Sequence, residues 1–451
     1  MLFSKLCDNI ARLGALSVGS MCSGSEVWCL ALHTLFQVLG VGKVKSKFAC
    51  ECVRAKAAFI HQVVHETILG DTAVCCFTDI MDMHGHVDGK AACHVHQQRC
   101  CIATGQAGPQ LVSVGFSCKN LSRLFSSKRP EHQRKDWLAA QAGSTGQTLV
   151  GMLSYVDNAE PPLLHFENVP DLLADHSWPY LIEQFRQRGY VVQGMLLQSD
   201  KYGCPQSRTR VHGLAVHLRQ CRLDMEAAEA FFKHFWAAVA QMEMDPLPLD
   251  MFLLPDDDEY ITGELTRIQA NRPDIVKTDD KEWRRTQDTF LKQQGIRWGQ
   301  CVAPEAQRAS PWFATMPPRE RMIVAYAIQT NPDIVAADVS QSIERSASNK
   351  TALVRTLHPG GKVWLFKRKR PLMGIEALCM QGFGLKMLRD CVMRGVFTDS
   401  LAKDLAGNSY TGSVVMAFLT ALILHWPWPD CLPPGSGNDV DAIANVLARL
   451  K

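Results

Sequence analysis

An open, doubly wound α/β fold is what this sequence predicts, on three observations. Apolar runs of strand length alternate with stretches of helical periodicity over the first half of the chain, the signature of βαβ units. A turn of small residues, Ser23 to Ser25, separates the first such run from its helix. Polar or reactive residues recur where each apolar run ends, which is the edge at which open parallel sheets bind ligands.

The elements follow in order. "GALSVGSMCSGSEVWCLALHTLFQVLG" reads as strand, turn and helix. "KFACECVRAKAAFIHQVV" repeats the unit, with a short strand ending near Glu51. "AVCCFTDI" is a third strand ending at Asp79, and "PQLVSVGFS" a fourth that runs out beside Cys118. "PPLLHFENV" is a fifth, closing on Glu167, Asn168 and Val169. From 218 to 365 the character changes. A helix-like "MEAAEAFFKHFWAAVAQME", the Pro-rich acidic "DPLPLDMFLLPDDDEY" and mixed polar segments read as an insertion. Residues 366–430 return to the pattern of 1–217: "MGIEALCMQGF" looks helical, and "AGNSYTGSVVMAFLTALILHW" looks like a polar turn feeding an apolar helix. Residues 431–451 form a tail expected to dock as a short helix or to fray.

Composition narrows the function classes. At 451 residues the chain exceeds what one hydrophobic core usually supports, which favours one large domain with a sizeable insertion, or two to three domains. With 21% charged residues and a formal net charge of +3, bulk charge does not announce a nucleic-acid binder, so any basic surface must be local. Seventeen cysteines, an odd count with no secretory signal before them, point to a reducing intracellular compartment rather than a disulfide framework. No apolar run reaches membrane-spanning length, so no membrane partner is expected.

The order of motifs is more specific than any one of them. The turn at Ser23, Gly24 and Ser25, the acidic strand ends Glu51 and Asp79, Cys118, "ENV" at 167, "QSRTR" at 206, the "QGF" helix and "GNS" at 407 resemble, in sequence order, the DNA cytosine-5 methyltransferases. The resemblance spans roughly residues 15 to 425. It implies a Rossmann-like fold that uses S-adenosylmethionine, with 218–365 as a target-recognition insertion between two parts of one catalytic domain. It implies methyl transfer to carbon 5 of cytosine in double-stranded DNA, in the nucleus if the organism is eukaryotic. Alternatives within the resemblance are a tRNA cytosine-5 methyltransferase and a catalytically weak DNA-binding accessory protein.

Chemistry explains why these residue types suit such a reaction. Carbon 5 of cytosine is a poor nucleophile until a thiolate adds at carbon 6 and an acid stabilises the charge at ring nitrogen 3. The resemblance makes Cys118 that nucleophile and Glu167 that acid, acting on a base extruded from the duplex. It places Arg208 and Arg210 near the flipped base and its phosphate, where a planar donor fork suits oxygen acceptors. It gives Glu51 the ribose hydroxyls and Asp79 the adenine of the cofactor, with Ser23, Gly24, Ser25, Asn408 and Ser409 closing the pocket. Each has a plainer reading: Cys118 as a small core residue, Glu51 and Asp79 as helix-capping carboxylates, "GNS" as a helix N-cap.

Two departures from the family pattern bear on activity: Ser117 and Lys119 flank the cysteine where proline and glutamine are usual, and Glu26 stands where a second glycine is usual. Two clusters lie outside the motifs. "HGHVDGKAACHVHQQRCC" gathers zinc-ligand types, His84, His86, Cys93, His94, His96, Cys100 and Cys101. It contains no C-x-x-C pair and adjacent cysteines rarely ligate together, so a polar surface loop and no metal site are expected. "FKRKRP" at 366 reads as a strand whose alternate residues meet DNA phosphates, and also as an import run. Arg284, Arg285, Arg319, Arg321, Lys350 and Arg355 are scattered through the insertion as further basic candidates.

Overall fold

A computed structural model describes residues 2–83, 88–121, 138–173, 177–270, 281–297, 300–347 and 352–426. His84, His86, Lys350 and the tail 431–451 lie outside the described residues. The chain forms two compact units, one of residues 1–203, 209–245 and 409–451, the other of residues 204–208 and 246–408.

The first unit is built on a seven-stranded sheet. Its strands are β1 (Ala15–Met21), β2 (Lys43–Cys50), β3 (Cys75–Phe77), β6 (Leu111–Val114), β7 (Leu163–Asn168), β8 (Tyr190–Gln198) and β10 (Thr209–His217), in the order β3-β2-β1-β6-β7-β10-β8. A two-stranded hairpin of β4 (Lys90–Ala92) and β5 (Arg99–Cys101) forms its own small sheet beside β3, and β9 (Gln206–Ser207) belongs to the second unit. The pairs from β3 through to β7 are parallel, and β10 runs against both of its neighbours. Strand order reverses between β1 and β6, so their carboxyl ends flank the crevice where open α/β sheets hold ligands.

Alternation along the strands sends side chains to two faces. On one face Phe48, Phe77, Val112, Val114 and Phe166 pack into a core with Leu149, Met152 and Tyr155 of the helix Gly143–Ala159 and Phe185 of the helix Ser177–Arg186. On the other, the helix Gly412–His425 is buried along nearly its whole length. Its Phe418 meets Trp28 of the helix Val27–Leu39 at 5.9 Å and Phe235 of the helix Met225–Gln241 at 4.9 Å. This places "MEAAEAFFKHFWAAVAQME" in the sheet-bearing unit. The expected insertion boundaries at 218 and 365 are therefore not those of the compact units, which change at 245 and 408. No single helix among the described residues is long and apolar enough to cross a membrane.

The second unit holds a small sheet of β11 (Ala336–Asp338), β13 (Val363–Leu365) and β14 (Arg370–Pro371), while β12 (Val354–Arg355) pairs with β9. The run "FKRKRP" is the turn at 366–369 followed by strand β14, and three of its four charges are answered inside the unit. Arg370 is fully buried and pairs with Glu376 at 2.8 Å and Asp256 at 2.7 Å, while Lys367 and Arg368 reach Asp250 at 2.5 and 3.0 Å. Of the strand expected for this run only Arg370 and Pro371 are strand, and the acidic segment around 250–258 supplies counter-charges to Lys367, Arg368 and Arg370. Arg319 likewise donates to the carbonyls of Ser340 and Gln341, at 3.0 and 2.6 Å, and Arg321 to that of Ala314 at 2.8 Å. The expected N-cap at "GNS" also differs. Gly407 and Asn408 end the helix Asp399–Asn408, and Thr411 stands at the N-cap position of the next one without a side-chain capping bond.

Candidate functional site

The carboxyl ends of β1, β2 and β3 carry the residues expected at the cofactor. Gly24 takes the left-handed conformation, φ 58°, at the turn after β1, and its N–H donates to Glu51 Oε2 at 3.1 Å. Glu51 Oε1 accepts from Val53 N at 3.0 Å, and Asp79 Oδ1 accepts from Met81 N at 2.8 Å. Asp79 thus does the capping work of the plainer reading, while Glu51 bonds to Val53, the residue ahead of the helix Arg54–Phe59. A carboxylate has about four acceptor positions, so these bonds leave each able to accept from a ligand's hydroxyl or amino group. Ser23 Oγ lies 2.5 Å from Ser20 Oγ, and Ser25 shares a hydrogen bond with Ser409. Asn408, in the second unit, bonds to Asp404 Oδ1 at 3.0 Å and is exposed. Two acidic strand ends beside a glycine turn offer the acceptors that suit the hydroxyl and amino groups of an adenosyl ligand.

Glu26 sits at φ 62° ahead of the helix Val27–Leu39, a backbone conformation that suits the glycine usual there. Its carboxylate is turned inward, buried, accepting from Ser20 Oγ at 2.5 Å and Cys29 Sγ at 3.0 Å. Burial raises its pKa above the ordinary 4.5. The folded state then holds this proton more tightly than the unfolded one, so the group's stabilising contribution is full below the unfolded pKa and is lost as pH rises through the folded pKa. Glu26→Gln is expected to flatten that loss: in urea titrations from about pH 4 upward the variant should gain on the wild type as pH rises. A constant gap across pH would show that Glu26 ionises as freely folded as unfolded.

Cys118 follows β6 on a short loop fixed from two sides. Ser117 N donates to Thr148 Oγ1 at 3.0 Å, Ser117 Oγ pairs with Ser144 Oγ at 3.1 Å, and Asn120 N donates to Thr145 Oγ1 at 3.0 Å. All three partners lie at the start of the helix Gly143–Ala159. Asn168 Nδ2 donates to the Phe116 carbonyl at 2.9 Å from the other side. Since β6 and β7 are parallel neighbours with Val114 opposite Phe166, Cys118 and Glu167 issue from adjacent strand ends. The Asn of "ENV" thus ties the two together.

Arg210 Nε lies 3.0 Å from Glu167 Oε1, both side chains mostly buried. Arg208 does something else. It is buried in the second unit, its Nη1 donating to the carbonyls of Leu357 and Gly407, both at 3.1 Å. A guanidinium occupied in this way holds main chain in place, where the resemblance implied a fork turned to base and phosphate. Of the expected pair, only Arg210 stands with Glu167 in the sheet-bearing unit.

Beneath Glu167 lies a buried polar chain that no motif in the sequence marks. Ser113 Oγ is 3.0 Å from His165 Nδ1, and His165 Nε2 is 3.0 Å from His212 Nδ1. Burial, then the neighbouring His212, lowers the His165 pKa well below its ordinary value and keeps the ring neutral. Trp28 and Phe418 pack on it at 4.8 and 4.7 Å. The available signal was spacing: His165 is two residues before Glu167 and His212 two after Arg210, so on a strand each shares the other's face. The His- and Cys-rich segment also departs from expectation: its described part is the β4–β5 hairpin rather than a loop, with Cys93, His96 and Cys100 gathered around Cys75.

An open sheet with one reversed strand, a carboxylate-edged glycine turn and a thiol beside a carboxylate at adjacent strand ends define a Rossmann-like methyltransferase. The chain belongs to the C-5 cytosine-specific DNA methylase family, whose model matches residues 109–386. The methyl donor of that family is S-adenosylmethionine. The DNA (cytosine-5-)-methyltransferase DMT5 of Cryptococcus neoformans is 25% identical over 441 residues, covering 90% of this chain and 17% of that protein. Its namesake in Verticillium dahliae is 23% identical over 495 residues, covering 92% and 20%. This chain therefore spans a fifth or less of the length of these relatives. Among solved structures, the S. pombe Dnmt2 methyltransferase is similar with a TM-score of 0.42 and 14% identity, over 91% of this chain and 98% of that one.

Proposed function

We propose that the chain methylates carbon 5 of cytosine in double-stranded DNA through a covalent Cys118 adduct on a base turned out of the helix. The observation that carries this reading is the delivery of Cys118 and Glu167 from adjacent parallel strand ends, with Arg210 holding the carboxylate. The Cys118 thiolate adds to carbon 6 while Glu167 passes a proton to ring nitrogen 3, leaving carbon 5 an enamine carbon. S-adenosylmethionine, when bound, supplies an electrophilic methyl group. After carbon 5 has taken the methyl group, a base removes the carbon 5 proton. The carbon–sulfur bond then breaks with its electron pair returning to sulfur, and the nitrogen 3 proton goes back to Glu167. The Asn168 tie to the Cys118 loop and the Arg210–Glu167 ion pair fix both reacting groups before substrate arrives, which lowers the entropic part of the barrier.

Transfer of labelled methyl from S-adenosylmethionine, measured on DNA and tRNA side by side, tests the activity and its substrate together. Incorporation into DNA is the expected result. Incorporation into tRNA alone would move the substrate, and none into either would leave an accessory DNA-binding role. Glu51→Ala is expected to weaken cofactor binding by about tenfold or more by calorimetry, since a bond to a charged acceptor contributes about 1.5–3 kcal/mol. Unchanged affinity would leave Glu51 a structural role, holding the Gly24 and Val53 N–H groups.

A further inference from the structure

We propose that Cys75, Cys93, His96 and Cys100 form a structural zinc site that clamps the β4–β5 hairpin to the edge of the main sheet. His96 Nδ1 lies 3.5 Å from Cys75 Sγ, 3.4 Å from Cys93 Sγ and 3.4 Å from Cys100 Sγ. All four ligand atoms fall within 4.8 Å of one another. Tetrahedral zinc, with Zn–S about 2.3 Å and Zn–N about 2.0 Å, has S···N edges of roughly 3.5 Å and S···S edges of roughly 3.8 Å. One ion at the centre would reach all four atoms with little movement. Hydrogen bonding does not explain the convergence, because a ring nitrogen offers one in-plane hydrogen or one lone pair and serves a single sulfur well.

The backbone builds the cluster from two places in the chain. Strands β4 and β5 pair with Ala91 opposite Cys100, and Cys93 N donates to the Gln98 carbonyl at 3.0 Å, which closes the turn containing His96. His94 N donates to the Cys76 carbonyl at 2.8 Å and Thr78 N to the Ala92 carbonyl at 3.0 Å, so the hairpin docks on β3 and meets Cys75. Cys93 and His96 are themselves spaced C-x-x-H. Adjacent cysteines pose no obstacle: Cys100 and Cys101 point to opposite faces of β5, and Cys101 is exposed and outside the cluster. Four protein ligands leave no open position, as in zinc sites that hold structure.

The test is metal content of the 451-residue chain purified under reducing conditions, by mass spectrometry of the intact native protein and by elemental analysis. About one zinc per chain is expected in the wild type and in Cys101→Ser, and about a tenth of that or less in Cys75→Ser/Cys100→Ser. Since the double variant also risks misfolding, His96→Cys supplies a second reading, because a Cys₄ set keeps the metal. Cobalt exchanged into the wild type should give the intense tetrahedral d–d absorption and thiolate charge-transfer bands, which Cys75→Ser weakens. A metal-free chain after growth in zinc with no cobalt spectrum would overturn the proposal. So would full zinc content in Cys75→Ser/Cys100→Ser, or a disulfide joining two of the three cysteines in the reduced preparation.

Discussion

Replacing Cys118 by serine is expected to lower methyl transfer by on the order of 10⁴-fold or more and to abolish covalent capture of DNA containing 5-fluorocytosine. A hydroxyl is scarcely ionised near neutral pH, whereas a thiol is readily made thiolate, and fluorine at carbon 5 blocks the proton loss that frees the enzyme. Peptide mapping of the trapped adduct checks the assignment, and an adduct on any other cysteine would end it. The loop adds a discriminating variant. Ser117 stands where the family has proline, and its N–H donates to Thr148 while its hydroxyl meets Ser144. Proline at 117 would remove both bonds, at a cost of about 0.5–1.5 kcal/mol each. Ser117→Pro is therefore expected to slow capture, since hydrogen bonds now do here what a fixed dihedral does elsewhere.

Glu167→Gln is expected to cut turnover by about 10²- to 10⁴-fold, the range for loss of a positioned acid, with little change in folding stability. An amide keeps the shape and an acceptor for Arg210 but supplies no acidic proton. Rapid-quench measurement of methyl transfer at saturating DNA and cofactor isolates the chemical step. Arg210→Lys gives the companion result, a smaller loss, because an ammonium keeps a positive charge beside Glu167 without the planar guanidinium whose Nε lies 3.0 Å from Oε1 as an ion pair. A glutamine variant within about twofold of wild type would remove Glu167 from the chemistry.

The parts of the site legible in the sequence are those set by local pattern. Strands β1, β2, β3, β6 and β7 are short apolar runs, and the residues just after them could be placed at one sheet edge without knowing which strands pair. Strands β8 and β10 were harder to see, because Gln193, Gln198 and His212 interrupt their apolar character and their partners are antiparallel. Long-range partnership was not legible at all. Nothing near Phe235 and Trp236 announces that they dock on Phe418, and nothing near Arg370 announces Glu376 and Asp256 closing over it. Cys75 was read as part of a strand and not with the His- and Cys-rich segment, because the hairpin that unites them is a tertiary contact. Arg208 and Arg210 look interchangeable in "QSRTR", yet one is buried among carbonyls and the other meets Glu167.

The hairpin has a consequence unrelated to ligands or chemistry. Strand β3 is the outermost on its side of the sheet, and a terminal strand with bare N–H and C=O groups is a template on which a second chain can add. Here the Cys76 carbonyl and the Thr78 N–H are already taken by His94 and Ala92, and the strand itself is only three residues long. The sheet is thereby blunted against growth from that end. Loosening of the β4–β5 hairpin would therefore show itself first in strand-to-strand self-association, before any loss of the core.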